Sequence, residues 1–268
     1  MQKISILSWN VQGHRHRGLM TPFKKILPVL ESETSDIICL QELPGARQKL
    51  PLLKSLHRYQ VFVPRLNEAA DVNTDGFNHN VLLSKYPIVS ASELLFPHSG
   101  KTRVAFENAI KADIRIGQTV LRIYICHLMI RGSGTATRLR QLKFILADAL
   151  AYNGPIIICG DMNIAVPKRG WARKIIQRWH GWPKEDAHLE GHPGEADEKI
   201  IFHQEVRRHG FKESLDLDRP TWSPVRNRRW ELFKLKLDWF LVKNLEVLDA
   251  GLHDYVSDHR AVSVSCQL

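Results

Sequence analysis

Short polar clusters follow short apolar runs at several places along the chain. Runs such as Ile37-Ile38-Cys39-Leu40 and Ile156-Ile157-Ile158-Cys159 are bounded by polar residues, a pattern typical of buried strands. The clusters are Trp9-Asn10, Gln41-Glu42, Gly160-Asp161-Met162-Asn163, Leu237-Asp238-Trp239 and Ser257-Asp258-His259. Functional side chains concentrate where elements leave the core. The pattern therefore predicts a sheet protein with polar and charged groups collected at one rim.

Helical and strand patterns are interspersed along the whole chain. Helical spacing predicts helices at about 22–31, 48–57, 135–151 and 202–209. Alternating or continuous apolar runs predict strands at about 4–9, 36–41, 61–63, 81–83, 105–115, 120–127, 156–159, 236–242, 245–248 and 261–266. No linker rich in proline, glycine or serine divides the sequence. We expect one domain over residues 1–268, with two packed sheets and helices outside.

The charge balance favours a polyanionic partner. Lysine and arginine total 38 against 28 acidic residues, a formal net charge of +10. Nucleic acid is the first candidate and an anionic membrane the second. The alternative is that a modest excess of basic residues serves only solubility. The sequence indicates no obligate protein partner.

The cysteines and the apolar runs bear on location. Cys39, Cys126, Cys159 and Cys266 lie in apolar strand-like runs without metal-binding spacing, so we expect small core residues. No leader pattern opens the sequence, and no run approaches the ~20 apolar residues that span a bilayer. These features predict a cytoplasmic protein.

Seven motifs in order carry a resemblance to a known family. They are Ser8-Trp9-Asn10-Val11-Gln12-Gly13, Asp36-Ile37-Ile38-Cys39-Leu40-Gln41-Glu42, Val81-Leu82-Leu83-Ser84-Lys85-Tyr86-Pro87-Ile88, Cys126-His127-Leu128, Gly160-Asp161-Met162-Asn163, Leu237-Asp238-Trp239-Phe240 and Ser257-Asp258-His259. The chain resembles the endonuclease/exonuclease/phosphatase superfamily, the deoxyribonuclease-I-like hydrolases. The resemblance implies an α+β fold, a four-layer α/β/β/α sandwich of two mostly antiparallel sheets with helices outside. It also implies hydrolysis of phosphate esters with a divalent metal, Mg²⁺, or Mn²⁺ as the alternative.

The resemblance also implies roles for the motif residues. Asp161 would orient or deprotonate the attacking water, Asn163 would bind the phosphate oxygens and His127 would donate to them. His259 would pair with Asp238. Whether His259 acts as a base or as an electrostatic stabiliser stays open, because an imidazole can serve either purpose.

The metal ligands follow from the same resemblance. Glu42 would be the principal ligand, since Mg²⁺ accepts a hard carboxylate oxygen beside several waters. Asn10 would help to hold the metal and its phosphate, and Asp258 is assigned to the metal as well. Some relatives carry an acidic residue where this chain has Gln12, which weakens the case for a second metal ion.

Each of these residues also has an ordinary interpretation when it is taken alone. Asp and Asn after a strand often bond to local backbone and end the strand. A lone glutamate such as Glu42 is more often a solvated surface charge, and His127 is about as often structural. The order of all seven motifs favours the functional interpretation.

Basic residues after the motifs predict where a substrate binds. Such groups can follow a phosphate backbone. The predicted substrate-binding residues are Arg15, Arg17, Arg131, Arg169 and Arg228. Nearby tryptophans either stack on bases or form a small core of their own. The segment 170–199 fits either a lid or a poorly ordered loop.

The leading hypothesis is a Mg²⁺-dependent phosphodiesterase that hydrolyses DNA or RNA by attack of water on phosphorus. A second enzymatic hypothesis keeps this chemistry for a phosphoinositide, sphingomyelin or another small phosphate ester. A third, from a different class, is a catalytically silent nucleic-acid-binding module. The presence of the full set of candidate site residues argues against a loss of catalysis. They are Glu42, Asp161, Asn163, Asp238 and His259.

Overall fold

A computed structural model describes the fold. It covers residues 2–12, 21–64, 78–96, 108–129, 134–164, 195–214, 219–223, 235–254 and 256–268. Within these ranges the longest helix has 17 residues. None of the helices described there combines the length and the apolar character needed to cross a bilayer.

The described strands form two sheets of six strands. The first sheet contains β1 (Lys3–Asn10), β2 (Ile37–Pro44), β3 (Gln60–Phe62), β4 (Asn78–Ser84), β11 (Glu246–His253) and β12 (Ala261–Gln267). Its spatial order is β11-β12-β1-β2-β4-β3. The pair β1 and β2 is parallel, and every other pair of neighbours is antiparallel.

The second sheet likewise has one parallel pair of neighbouring strands, and its other pairs are antiparallel. It contains β5 (Ile88–Leu95), β6 (Asn108–Ile116), β7 (Thr119–His127), β8 (Ile156–Asp161), β9 (Lys212–Glu213) and β10 (Asp238–Lys243). Its spatial order is β5-β6-β7-β8-β10-β9. Here β7 and β8 are parallel and the other neighbours are antiparallel.

Three apolar clusters hold four layers together. The helices in the described ranges are α1 (Phe23–Ser32), α2 (Leu50–Lys54), α3 (Gly134–Leu150) and α4 (Glu195–Arg208). One cluster lies between the sheets and is built from alternate residues of both, such as Ile6 and Ile157. The second packs Leu142 of α3 and Phe202 of α4 on the second sheet, and the third packs Ile26 of α1 on the first.

The predicted four-layer α/β/β/α sandwich is confirmed. Three details differ from the sequence prediction. The strand β5 (Ile88–Leu95) escaped prediction because its exposed and half-buried residues give no sustained apolar run. The last long helix begins at Glu195, seven residues before the apolar Phe202 that signalled it, so it includes the end of the 170–199 segment. The two-residue strand β9 is too short to carry a pattern.

Each parallel pair of strands is joined by a helix-containing connection, β1-α1-β2 in one sheet and β7-α3-β8 in the other. The carboxyl ends of two parallel neighbours lie at the same edge of a sheet. Asn10 and Gln41 are register partners at one such end, and His127 and Asp161 at the other. Asp238, at the start of antiparallel β10, is the other register partner of Asp161. The fold thus collects the ends of these strands at one rim.

Gly160 allows β7 and β8 to approach closely beside this rim. Its φ is +135°, and a Cβ there would lie 1.9 Å from the carbonyl oxygen of Cys126. Backbone cannot move away as a flexible side chain can, and this φ is open only to glycine. Gly160 therefore sets the position of its neighbour Asp161 relative to β7.

We expect Gly160→Ala to lower the free energy of unfolding by about 3 kcal/mol or more, because the new methyl group overlaps backbone. Gly117→Ala is the matched control, since Gly117 also has a positive φ, +60°, but a Cβ there meets only the side chain of Gln2 at 3.4 Å. The control should lose roughly 1–2 kcal/mol. Urea unfolding measures both, and equal losses would contradict the role given to close packing.

Candidate active site

The alternation of the strands turns the predicted polar residues into the layer between the sheets. In β1, Ile4 and Ile6 face this layer, so Asn10 shares their face. The same spacing relates Asp161 to Ile157 and Cys159. Asn10, His127, Asp161 and Asp238 all have at most 3% of their surface exposed. The inter-sheet core is apolar in its body and polar at this rim.

Glu42 reaches the same place by a different route. Strict alternation from Ile37 and Cys39 would turn Gln41 inward and Glu42 outward. The pairing of β2 with β4 shifts register between Leu40 and Leu43, and Glu42 has a φ of +57°. A bulge of this kind re-aims a side chain next to a site. The Glu42 carboxylate consequently accepts a hydrogen bond from Asn10 Nδ2 at 3.1 Å.

One amide links the two principal carboxylates. Asn10 Nδ2 donates to Glu42 Oε1 at 3.1 Å and to Asp161 Oδ2 at 2.9 Å. Asn10 Oδ1 accepts from the backbone N–H of Gln12 at 2.9 Å. Because a backbone N–H can only donate, this bond fixes which end of the amide is oxygen. Asn10 therefore holds Glu42 and Asp161 together with its donor end.

Two histidines border Asp161. His127 Nε2 lies 3.5 Å from Asp161 Oδ2 and 3.6 Å from Glu42 Oε1. His259 Nε2 lies 3.6 Å from the same Asp161 oxygen, and its Nδ1 lies 2.8 Å from Asp238 Oδ2. Since an ionised carboxylate only accepts, His259 Nδ1 carries the proton of that bond. The structure thus brings the predicted Asp238–His259 pair together.

The surroundings of Asp161 favour its protonated form in the absence of a cation. Burial raises the pKa of Asp161 to about 7, and the charges of Asp238 and Glu42 act in the same direction. His259 and the backbone N–H of Asn163 oppose the rise. An added positive charge would favour the ionised carboxylate.

The surroundings of His259, in contrast, favour its charged form. Burial disfavours the charged ring and lowers the pKa of His259, but the carboxylates of Asp238 and Asp161 outweigh burial. The pKa of His259 therefore lies well above its usual value. The raised pKa favours the ring with a proton on both nitrogens, the form in which Nε2 donates a hydrogen bond.

Left-handed backbone recurs at the rim. Gln12, Glu42 and Asn163 have φ values of 54°, 57° and 52°. Non-glycine residues adopt this region uncommonly, and such residues cluster at functional sites. Asn163 donates from Nδ2 to Leu128 O and from its backbone N–H to Asp161 Oδ1, both at 2.9 Å. Asn163 therefore also holds Asp161 in place.

The donor set fits a divalent cation. Ligand atoms lie within 4.8 Å of one another in two overlapping groups, Glu42 with His127 and Asp161, and Asp161 with Asp238 and His259. Asp238 Oδ1 is buried and has no hydrogen-bond partner among the described residues. Several buried carboxylate oxygens at one point are costly without a compensating positive charge. Hard oxygen ligands of this kind suit Mg²⁺ and Mn²⁺.

Asp258 was predicted as a further metal ligand, but it lies to one side. Its Oδ2 accepts from the Trp222 indole N–H at 3.1 Å, and its Oδ1 lies 3.3 Å from Ser257 Oγ. Among the described residues it belongs to neither group of candidate ligands. The predicted substrate-binding residues Arg15, Arg17, Arg131, Arg169 and Arg228 lie outside the described residues, as does the segment 170–194.

Two buried hydroxyl groups at the site were not predicted. Ser257 Oγ donates to Asn10 O at 2.8 Å and accepts from His259 N at 3.1 Å, which ties β1 to the segment before β12. Thr221 Oγ1 accepts from the backbone N–H groups of Leu237 and Asp238. Ser257 lies in the Ser257-Asp258-His259 motif, so the sequence carried a signal that could have identified it. Thr221 lies between predicted elements, where no periodic signal exists.

Comparisons with known proteins identify the family and the fold. The sequence profile of the Endonuclease/Exonuclease/phosphatase family matches residues 7–259. Curated proteins offer no sequence match. Truncated TDP2 from Caenorhabditis elegans is a similar solved structure, with a TM-score of 0.66, 18% identity, and coverage of 99% of this chain and 98% of that chain.

Two further solved structures share the fold. D. rerio TDP2 complexed with single strand DNA product has a TM-score of 0.62 and 18% identity, and both chains are covered completely, at 100%. An endonuclease/exonuclease/phosphatase family protein from Leptotrichia buccalis C-1013-b has a TM-score of 0.67 and 15% identity, with 99% of this chain and 100% of that chain covered. Identities this low show the fold alone. The profile match over nearly the whole sequence shows that the chain belongs to the endonuclease/exonuclease/phosphatase family, a family of divalent-metal-dependent phosphoesterases.

Proposed function

We propose that the protein is a Mg²⁺-dependent phosphodiesterase that hydrolyses nucleic acid. The observation that carries the proposal is the convergence of three carboxylates and two histidines at one rim of the inter-sheet layer. They are Glu42, Asp161, Asp238, His127 and His259. Phosphodiester hydrolysis needs a group that handles water and groups that stabilise charge on the phosphoryl oxygens.

Asp161 is the candidate for handling the nucleophile. Asn10 and Asn163 fix both of its oxygens, so the carboxylate holds one orientation. A neighbouring cation favours the ionised form of Asp161, and an ionised carboxylate can orient water and accept its proton. A divalent cation held by Glu42 and Asp161 would supply neutralisation of the negative charge that develops on the phosphoryl oxygens.

His259 is the candidate for stabilising that charge. Its Nδ1–H is directed to Asp238, so Nε2 faces the space beside Asp161. The raised pKa keeps the ring protonated, and a protonated Nε2 donates rather than accepts. These contacts favour His259 as an electrostatic stabiliser over a general base. His127 lies on the other side of Asp161 and can donate to a second oxygen.

Nucleic acid is the proposed substrate because the protein is basic and because basic residues follow the site residues along the chain. The net charge of +10 favours a polyanion. The basic segment 13–20 joins Gln12 to Thr21, whose backbone N–H donates to Gln12 O at 3.0 Å beside the site. Arg131 follows Met129 after the end of β7. A solved TDP2 structure with a similar fold contains a single strand DNA product.

A substrate panel tests the proposal. Purified protein with Mg²⁺ should hydrolyse labelled single-stranded DNA, duplex DNA or RNA in preference to vesicles containing phosphoinositide or sphingomyelin. Chelation of the metal should abolish turnover. Asp161→Ala, His259→Ala and Glu42→Gln should each lower kcat by roughly a hundredfold or more, because each removes charge stabilisation or proton transfer at the reacting centre.

Asp148→Asn is the control for this panel, since Asp148 forms its ion pair with Lys111 on the outer face of the second sheet. Its activity should match that of the unaltered protein. Turnover of lipid vesicles alone would reject nucleic acid as the substrate. Turnover that survives chelation and all three site substitutions would reject the mechanism, and salt-dependent DNA binding without turnover would identify a binding module.

The cost of burying Asp161 gives a second prediction. A carboxyl group whose pKa is raised in the folded state stabilises the fold at low pH, and that contribution is lost as pH rises from about 4 to about 7. Asp161→Asn should therefore make the metal-free protein more stable at pH 8, on the order of 1.4 kcal/mol for each pKa unit removed. Urea unfolding with a chelator present measures the difference.

The matched control has the opposite sign. Burial raises the pKa of Asp148, but Lys111 and Tyr124 outweigh it and the pKa of Asp148 is lowered. Asp148→Asn should therefore destabilise the protein at pH 8. Mg²⁺ should stabilise the unaltered protein more than Asp161→Asn. If Asp161→Asn is as destabilising as Asp148→Asn without metal, the raised pKa of Asp161 is contradicted.

A further inference from the structure

A three-residue segment joins the two parts of the chain that supply Asp238 and His259. Trp222 forms backbone hydrogen bonds with Leu235 in both directions, at 2.8 and 3.0 Å, just before β10. On its other side, Arg260 N donates to Thr221 O at 2.7 Å and Ser223 N donates to Asp258 O at 3.1 Å. The segment 221–223 therefore lies between the flanks of both catalytic candidates.

The Thr221 hydroxyl acts on Asp238 from within this segment. Thr221 has no exposed surface, and its Oγ1 lies 3.0 Å from both Leu237 N and Asp238 N. These two N–H groups are at the start of β10, where the antiparallel ladder with β8 begins. Buried N–H groups need partners, and here one side-chain oxygen satisfies two.

We propose that Thr221 is a positioning residue for the Asp238–His259 pair, an inference that rests on the proposed function for its catalytic consequence. Thr221 Oγ1 fixes the backbone of Asp238, and Thr221 O fixes Arg260, the residue after His259. One residue thereby sets the spacing between the two partners, whose side-chain atoms lie 2.8 Å apart. That spacing determines where His259 Nε2 points.

The chemistry of the site makes this spacing consequential. His259 Nε2 lies 3.6 Å from Asp161 Oδ2, so a small rotation of the ring changes its distance to a bound phosphate. Misplacement of a catalytic group by about 1 Å can cost a hundredfold in rate. The Trp222 indole, bonded to Asp258, reinforces the same connection from the middle of the segment.

A spectroscopic measurement tests the inference without turnover. The Nδ1–H proton of His259, bonded to Asp238, should give a downfield proton resonance that His259→Gln removes. Thr221→Val keeps the shape of the side chain but removes the oxygen, and it should shift or abolish this resonance. Thr221→Ser keeps the oxygen and should preserve it. An unchanged resonance in Thr221→Val would overturn the proposal.

A double-mutant cycle tests the catalytic consequence. With bis(p-nitrophenyl) phosphate and with nucleic acid, Thr221→Val should lower kcat roughly ten- to hundredfold with little change in KM, and Thr221→Ser should restore it. In an Asp238→Ala background, Thr221→Val should have no further effect on kcat, because the pair it positions is gone. Equal losses in both backgrounds would overturn the proposal.

Two controls separate this role from general stability and from the proposed substrate. Tyr59→Phe removes a buried hydroxyl that donates to Ser35 O at 2.8 Å under the first sheet, and it should leave the resonance and kcat unchanged. If Thr221→Val does not fold, Thr221→Ala replaces it in both measurements. Failure to hydrolyse nucleic acid would refute the proposed function, whereas the resonance would still decide the role of Thr221.

Discussion

Two carboxylates buried within hydrogen-bond reach of the same amide nitrogen set the conditions for the rest of this structure. Glu42 and Asp161 come from different sheets and meet at Asn10 Nδ2. Burial of like charges is unfavourable, and the neighbouring groups reduce the cost. The carboxylates raise the pKa of His259, and burial raises the pKa of Asp161 to about 7. The site therefore consists of carboxylates and an imidazole of opposite charge, which the two sheets hold together.

Much of this arrangement could be predicted from the sequence, because strands alternate with a period of two. Asn10, Asp161 and Asp238 share a face with apolar residues of the inter-sheet core, and each lies at a strand end. Glu42 lies on the wrong face by that rule, and only the bulge and its left-handed backbone bring it inward. A bulge leaves no mark in an apolar pattern, so its placement depended on the family resemblance.

Other parts depend on contacts between distant segments, which periodicity does not encode. Asp258 was predicted as a metal ligand, yet its carboxylate accepts a hydrogen bond from Trp222, 36 residues away. Thr221 meets Asp238 across 17 residues of intervening chain. The parallel pairing of β1 with β2 and of β7 with β8 is likewise a contact between distant segments, which an apolar pattern does not reveal. Each sheet supplies its own helix-linked pair, and the site combines the ends of both.

The bond between Ser257 and Asn10 joins residues 247 positions apart. On a ribosome, Asn10 and Glu42 are made early, whereas Ser257 and His259 emerge only after nearly all of the intervening chain. Until then β1 lacks β12 beside it, and the charged rim lacks its imidazolium. The positive charge that offsets Glu42 and Asp161 therefore reaches the rim only with the strand that pairs last along the chain with β1, so the site needs both ends of the first sheet.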